Sequence, residues 1–160
     1  MLLNSQQVEA HLQTNGLGEK AQVGYDLTLK AVNRVNGGMV LKDKTSIEDY
    51  QTVQSVISPT GKHIFTLEPG VYSLTFDQGC KLPENRTAII RHRSSILRCG
   101  AIITSGIYDP GFEVNEMGGV LFVNNKMHIE KGARVAQIVM IENAPAELYD
   151  GQWQKDKDVK

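Results

Sequence analysis

Two arginines, two serines and an aspartate lie close together near the middle of the chain, and their side chains suit the chemistry of phosphate esters. They are Arg93, Ser94, Ser95, Arg98 and Asp109. Guanidinium groups and hydroxyls donate strong hydrogen bonds to phosphate oxygens. A nearby carboxylate can orient a water molecule or take its proton. This combination predicts a site that binds a triphosphate and hydrolyses it.

The residues around Asp109 predict a tight turn, because Pro110 and Gly111 form a pair typical of β-turns. Asp109 can be the first residue of that turn or a functional carboxylate. Phe112 can belong to the core or cover the face of a sugar. Gln137 lies in an apolar strand pattern, where its amide needs partners that either a site or the core could supply.

Short β-rich runs separated by Gly, Pro, Asn and Asp predict an all-β sandwich, jelly roll or barrel. The predicted strands are Tyr25–Leu29, His63–Leu67, Tyr72–Phe76, Thr87–Arg91, Ala101–Thr104, Val120–Val123 and Val135–Ile141. Asn4 or Ser5 is expected to cap a short helix that runs through Leu12 and ends near Asn15. Residues 33–58 are polar and poorly patterned, which predicts a long loop or an irregular excursion.

Length and charge narrow the class of protein. The 160 residues suit a single domain over 1–160, and a net charge of −1 argues against a general nucleic-acid-binding protein. We expect the charged residues 150–160 to form a mobile tail. Cys80 and Cys99 are expected to be reduced thiols. With no apolar run of membrane-spanning length and no signal peptide evident, we expect a cytoplasmic protein without a membrane partner.

The sequence shows no pattern of metal ligands. Its four histidines are scattered, and it has neither a Cys-x-x-Cys pair nor a Gly-x-x-x-x-Gly-Lys-Ser/Thr phosphate loop. We therefore expect no metal held by the protein itself.

Four short motifs occur in a fixed order. They are Gly24-Tyr25-Asp26-Leu27, Arg93-Ser94-Ser95-Ile96-Leu97-Arg98-Cys99-Gly100, Gly106-Ile107-Tyr108-Asp109-Pro110-Gly111-Phe112 and Gly132-Ala133-Arg134-Val135-Ala136-Gln137. Together they resemble the family that joins dUTP pyrophosphatases (dUTPases) and metal-independent dCTP deaminases. The resemblance implies a distorted jelly roll or β-barrel of the dUTPase type with a short N-terminal helix. It also implies a homotrimer with sites shared between subunits, and Mg²⁺ held mainly through substrate phosphates and water.

The resemblance implies roles for the motif that begins at Arg93 and for Asp109. Arg93, Ser94, Ser95 and Arg98 would hold the phosphates of the nucleotide. Asp109 would orient or deprotonate the attacking water in a dUTPase.

The resemblance also implies the nucleoside pocket. Gly106, Ile107 and Tyr108 would line the base pocket through backbone groups, and Phe112 would pack against the deoxyribose. Asp26 would be structural rather than catalytic.

Two further regions would complete the site by the same resemblance. Arg134 and Gln137 would support it from the last strand. Tyr149 and Gln152 resemble a Tyr-x-x-Gln tail that closes over the nucleotide in the deaminase branch.

The departures from the family pattern bear on the choice of activity. Deaminases carry a glutamate in the strand after Asp-Pro-Gly-Phe, where this chain has Phe122 or a neighbour, while Glu113 and Glu116 fall earlier. We therefore expect a pyrophosphatase that converts dUTP to dUMP and pyrophosphate. One alternative is a dCTP deaminase that uses Glu113 or Glu116, with or without pyrophosphatase activity in the same protein. Another is a non-catalytic, nucleotide-binding regulatory trimer.

Overall fold

The structure is a computed structural model that describes residues 1–36, 39–41, 45–47, 50–144, 148–151 and 154. The helices in these residues are α1 (Ser5–Glu9) and α2 (Ser94–Arg98). The strands are β1 (Leu12–Gln13), β2 (Glu19–Lys20), β3 (Tyr25–Val35), β4 (Met39–Leu41), β5 (Thr45–Ile47), β6 (Tyr50–Thr52), β7 (Val56–Ile57), β8 (His63–Leu67), β9 (Gly70–Phe76), β10 (Gly79–Lys81), β11 (Arg86–His92), β12 (Ala101–Tyr108), β13 (Glu113–Val114), β14 (Gly118–Val123), β15 (Met127–Glu130) and β16 (Arg134–Glu142).

Six strands close into an antiparallel barrel in the order β16, β11, β12, β14, β9 and β3, and β3 pairs back with β16. Closure leaves none of these strands as a bare sheet edge along its whole length. Smaller sheets join β1, β10 and β13, then β15, β8 and β7, and finally β4 with β5. The predicted all-β barrel with a short N-terminal helix is confirmed.

Alternating apolar side chains fill the inside of the barrel. On β9, Tyr72, Leu74 and Phe76 are buried while the residues between them are half-buried, and on β14 Leu121 and Val123 are buried on either side of an exposed residue. This two-residue period is what a strand with one face on a core requires. Each of the seven predicted strands is present, and β3 and β12 extend well beyond the predicted ends.

The prediction for the N-terminal helix is only partly right. Asn4 caps α1 as expected, because its side chain accepts a hydrogen bond of 3.0 Å from the Gln7 backbone. The helix ends at Glu9, however, and does not continue through Leu12. Leu12 instead pairs with Cys80 of β10, so backbone pairing with a distant strand overrides the helical pattern.

The prediction of a loop or irregular excursion at residues 33–58 is wrong for the residues described. The end of β3 pairs with β6, and β7 pairs with β8. Strand β7 leaves no apolar pattern in the sequence because it has two residues, Val56 and Ile57, and both are exposed. Its backbone hydrogen bonds, rather than an apolar face, hold it in place.

Candidate active site

Two separate clefts lie on the outside of the barrel. The anion cleft has a volume of about 410 Å³, and among its lining residues are Glu19, Lys20, Asp26, Arg93, Ser94, Arg134 and Gln137. The aromatic pocket has a volume of about 460 Å³, and among its lining residues are Gly106, Ile107, Tyr108, Phe112, Glu116, Gly118 and Tyr149. No described residue lines both.

Strand pairing explains how distant parts of the sequence meet in the anion cleft. On one side of β16, Gln137 pairs with Asp26 of β3. On the other side it pairs with Arg91 of β11, and the Arg93 backbone N–H donates to the Val135 carbonyl at 3.0 Å. Two of the four sequence motifs therefore lie on the paired strands β3 and β16, and the motif that begins at Arg93 follows directly after their neighbour β11.

Asp26 organises the arginines of this cleft. Its side chain is 7% exposed, and one of its oxygens, Oδ2, lies 2.9 Å from Arg93 Nε and 3.5 Å from an Nη1 atom of Arg134. Arg93 also donates to the Arg134 carbonyl at 3.2 Å. Burial raises the pKa of Asp26, and the Arg93 charge offsets part of that effect. The carboxylate thus orients both guanidinium groups from beneath the cleft.

The first motif needs its glycine for this packing. Gly24 has a φ of +83°, and a Cβ there would lie 2.1 Å from the Ile138 carbonyl oxygen. The next residue, Tyr25, is buried and donates from its hydroxyl to the Leu17 carbonyl at 2.9 Å. The close approach of β3 and β16 at Gly24 is what sets Asp26 beside Arg134.

The motif that begins at Arg93 forms helix α2. Arg93 is its N-cap with extended backbone, and Gly100, with a φ of +74°, follows its end. Ser94 lines the anion cleft, whereas Ser95 and Arg98 are exposed on the same helix and do not line it. The residues expected to hold the phosphates therefore lie in two places: Arg93 and Ser94 line the anion cleft, and the other two lie on the exposed surface of α2.

Gln137 does not belong to the core. It is half-buried on the outer face of β16 and donates from Nε2 to the Val23 carbonyl. Of the two interpretations left open by the sequence, the structure therefore favours a place in a cleft.

Three aromatic rings in mutual contact form one wall of the aromatic pocket. Phe112 is buried, and its ring centroid lies 5.3 Å from that of Tyr108 and 5.0 Å from that of Tyr149, both in edge-to-face geometry. The Tyr108 hydroxyl donates to the Gly118 carbonyl at 2.8 Å and accepts from its N–H at 3.1 Å. Burial raises the pKa of Tyr108 to about 12, so its hydroxyl stays neutral and holds the wall together.

A gap between two strands creates the pocket itself. Strand β12 pairs with β14 only from Ala101 to Thr104, while β14 continues alongside β9 through Gly118 and Gly119. Residues 105–108 therefore present one backbone edge that no described strand covers. A Cβ on Gly106 would meet nothing within 4 Å, and Ile107 is 66% exposed, so this edge is open to a ligand.

The turn predicted after Tyr108 is confirmed. The Phe112 N–H donates to the Asp109 carbonyl at 3.1 Å, and Gly111 has the positive φ, +81°, that such a turn needs. Asp109 is thus the first residue of the turn, and its side chain is exposed beside the aromatic pocket.

Among the glutamates considered from sequence, only Glu116 reaches the aromatic pocket, where it forms an ion pair with Lys30. Glu113 lies in β13 and pairs with Lys81 at 3.1 Å. Phe122 is 47% exposed on β14 and does not line the pocket.

The C-terminal segment docks on the same turn. The Tyr149 N–H donates to the Pro110 carbonyl at 2.9 Å. The Gln154 side chain donates to the Gly111 carbonyl at 3.0 Å and accepts from the Glu113 N–H at 3.2 Å. The predicted contact residue Gln152 lies outside the described residues, as do most of 150–160. No pattern in the sequence singled out Gln154, because its partners are backbone atoms.

Arg98 and Asp109 are close in sequence but lie far apart in the folded chain. Arg98 lies just before β12 and Asp109 just after it. The strand has eight residues, so its ends are roughly 24 Å apart at about 3.4 Å per residue. Within one chain, the Asp109 carboxylate and the α2 side chains therefore lie far beyond the roughly 3 Å that a reacting pair requires.

Over the described ranges, no group of three or more His, Cys, Asp or Glu side chains could hold a metal ion. In the same ranges no helix is long and apolar enough to cross a membrane.

Comparison with known proteins finds matches along most of the chain. The family model described as dCTP deaminase-like matches residues 3–143. The chain is 30% identical over 140 residues to a probable deoxyuridine 5'-triphosphate nucleotidohydrolase of Halobacterium salinarum, covering 84% of this chain and 82% of the relative. It is 34% identical over 134 residues to the deoxyuridine 5'-triphosphate nucleotidohydrolase of Methanocaldococcus jannaschii, covering 81% and 83%.

A solved structure shares the fold. The 2'-deoxycytidine 5'-triphosphate deaminase from Agrobacterium tumefaciens superposes with a TM-score of 0.65 at 16% identity. The match covers 87% of this chain and 47% of that one, so this chain spans about half of that protein.

Proposed function

This chain belongs to the dCTP deaminase-like family, and from that premise we propose that it is a dUTP nucleotidohydrolase that converts dUTP and water to dUMP and pyrophosphate. Relatives at 30% and 34% identity that carry this activity in their names support the choice. So does the outward-facing Phe122, which stands in the strand where a deaminase needs its glutamate.

The active site is composite, and the separation of Asp109 from α2 is the observation that carries this proposal. Each site takes the aromatic pocket and Asp109 from one chain, and the exposed Ser95 and Arg98 from the α2 helix of a neighbouring chain. A closed homotrimer supplies three such sites by symmetry. Light scattering that reports a monomer at working concentration would contradict the composite site.

Asp109 acts on the attacking water. Its exposed carboxylate orients the water and accepts its proton as the oxygen attacks the α-phosphorus. The bond from that phosphorus to the bridging oxygen breaks, and pyrophosphate leaves. Arg93, Ser94 and Arg98 donate hydrogen bonds to the phosphate oxygens on which negative charge develops.

Mg²⁺ would be held in this site mainly by the phosphates of the nucleotide and by water. Magnesium favours phosphate oxygens and retains several of its waters. The donor set of the anion cleft suits that arrangement, since its carboxylates, Asp26 and Glu19, are both paired with arginine rather than grouped as a cage. When bound, the ion neutralises phosphate charge.

The nucleoside lies in the aromatic pocket. The open backbone edge at Gly106 and Ile107 offers donors and acceptors to the base, and Phe112 packs against the deoxyribose. Tyr149, in the C-terminal segment, packs edge-to-face against the Phe112 ring. We also propose that the enzyme acts in the cytoplasm, which the free thiols of Cys80 and Cys99 support.

Product analysis tests the proposal. Purified protein is incubated with dUTP, dCTP, dTTP and dATP in the presence of Mg²⁺, and products are separated by chromatography. We expect dUMP and pyrophosphate from dUTP, and loss of the reaction on chelation of Mg²⁺. Intact dUTP together with release of ammonia from dCTP would overturn it.

A second candidate activity, deamination of dCTP to dUTP or dUMP, is favoured by the Glu116 carboxylate in the aromatic pocket. Glu116 could move protons at the amino group of a cytosine held there. Glu116→Gln discriminates the two activities. A pyrophosphatase should retain most of its turnover of dUTP, whereas release of ammonia from dCTP by the unaltered enzyme, and its loss in the variant, would establish the deaminase.

A further inference from the structure

The arginines of the anion cleft are already neutralised by the protein's own carboxylates. Arg93 pairs with Asp26, and Arg134 pairs with both Asp26 and Glu19. A polyphosphate that enters the cleft therefore meets guanidinium groups that another anion occupies.

The two carboxylates differ in how firmly they are held. The Asp26 side chain is 7% exposed on the long strand β3, between two arginines. The Glu19 side chain is 63% exposed on β2, a strand of two residues that pairs only with β3 among the described strands. Asp26 is fixed in place, whereas rotation about the side-chain bonds of Glu19 is enough to release Arg134 into the cleft.

We propose that Glu19 is an internal competitor for the phosphate site: its carboxylate occupies Arg134 in the empty protein and is displaced by a polyphosphate. This inference rests on the proposed function only in taking the cleft to bind phosphates. It assigns Glu19 the role of setting the affinity for polyphosphate, and of returning to Arg134 when the product pyrophosphate leaves.

The size of the effect follows from the exposure of the pair. Exposed ion pairs are weak, because water and salt screen both charges. Removal of the Glu19 charge should therefore tighten the binding of a polyphosphate by about two- to five-fold.

Inorganic pyrophosphate is the probe, because its binding involves no base and no chemistry. Calorimetric titration compares the full-length wild type with Glu19→Gln and with the matched control Glu68→Gln. Glu68 is similarly exposed, at 54% of its side chain, and pairs with Lys126 at 2.6 Å, away from the anion cleft. We expect tighter binding for Glu19→Gln and wild-type binding for Glu68→Gln.

A double-mutant cycle then shows whether Glu19 acts through Arg134. In the Arg134→Ala background, Glu19→Gln should no longer improve binding. Equal affinity of the wild type and Glu19→Gln would overturn the inference. An equal gain in the Arg134→Ala background would also overturn it, since the effect would then be one of net charge.

If none of these proteins binds pyrophosphate, the cleft is not an anion site and Glu19 does not have the role proposed for it. The turnover of dUTP, measured on the same preparations, decides the proposed function separately. Thermal unfolding of each variant checks that the fold is retained.

Discussion

The anion cleft and the aromatic pocket are built on the same barrel by opposite means. The cleft forms where strand β16 pairs with β3 on one side and with β11 on the other, and ion pairs around Asp26 fix its arginines. The pocket forms where β12 and β14 separate, and the C-terminal segment supplies part of its wall through Tyr149. The cleft is therefore complete within the fold, whereas the pocket depends on a segment that docks from outside the barrel.

This difference predicts that the two regions respond separately to mutation. Changes beside the pocket should affect chemistry and the nucleoside while leaving phosphate binding intact. Changes in the cleft should affect every polyphosphate alike.

The largest expected effect is that of Asp109→Asn. The substitution keeps the shape of the side chain but removes the charge that activates water. Turnover of dUTP should fall on the order of 10²–10⁴-fold, the usual range for an acid–base group. Steady-state kinetics measures the loss, and calorimetry should show that a non-hydrolysable dUTP analogue still binds. Turnover near that of the wild type would leave Asp109 as a turn residue only.

A smaller effect is expected when the C-terminal segment is removed after Glu147. This deletes the ring contact of Tyr149 with Phe112 and the two hydrogen bonds of Gln154. These contacts mainly offset the entropy cost of ordering the segment itself. Because the segment would shield the bound nucleotide from water, its loss should lower kcat/KM roughly 10-fold, which corresponds to about 1.4 kcal/mol. The thermal midpoint and the affinity for pyrophosphate should change little.

Tyr149→Phe is the control for the truncation, since it keeps the ring on Phe112 and should keep most of the activity. In the full-length protein, a dUTP analogue with Mg²⁺ should slow proteolysis of the C-terminal segment. Unchanged kinetics after truncation would show that the segment covers nothing.

The smallest effect concerns Asp26 and pH. Burial raises the pKa of Asp26 above its ordinary value of 3.8, so the folded protein retains a proton that the unfolded chain has lost. The stability of the wild type relative to Asp26→Asn should therefore fall as the pH rises above the ordinary pKa of 3.8. Urea unfolding at several pH values measures this slope. A rise over the same range would mean that Arg93 outweighs the cost of burial.

The sequence predicted the fold more completely than it predicted the site. Alternating apolar residues predicted strands such as β9 and β14, because a face buried in a barrel leaves a two-residue period. The exposed strand β7 left no such signal, and α1 ended early because Leu12 pairs with β10.

The motifs identified residues of both clefts but did not show which residues belong to the anion cleft and which to the aromatic pocket. Arg98 and Asp109 are close in sequence, yet a full strand lies between them. Glu19 and Gln154 were missed altogether, because a two-residue strand and a side chain bonded to backbone atoms leave no pattern to recognise. Such contacts follow from tertiary pairing rather than from local sequence.

Mixing two inactive variants tests the shared site most directly. Asp109→Asn lacks the carboxylate beside the aromatic pocket, and Arg98→Ala lacks the arginine of α2, so each alone should be inactive. If the two residues reach one site from different chains, subunits unfolded together and refolded as a mixture should form some sites with both residues intact, and hydrolysis of dUTP should return to a substantial fraction of the wild-type rate. A mixture as inactive as its two components, with mixed trimers shown to form, would contradict the account.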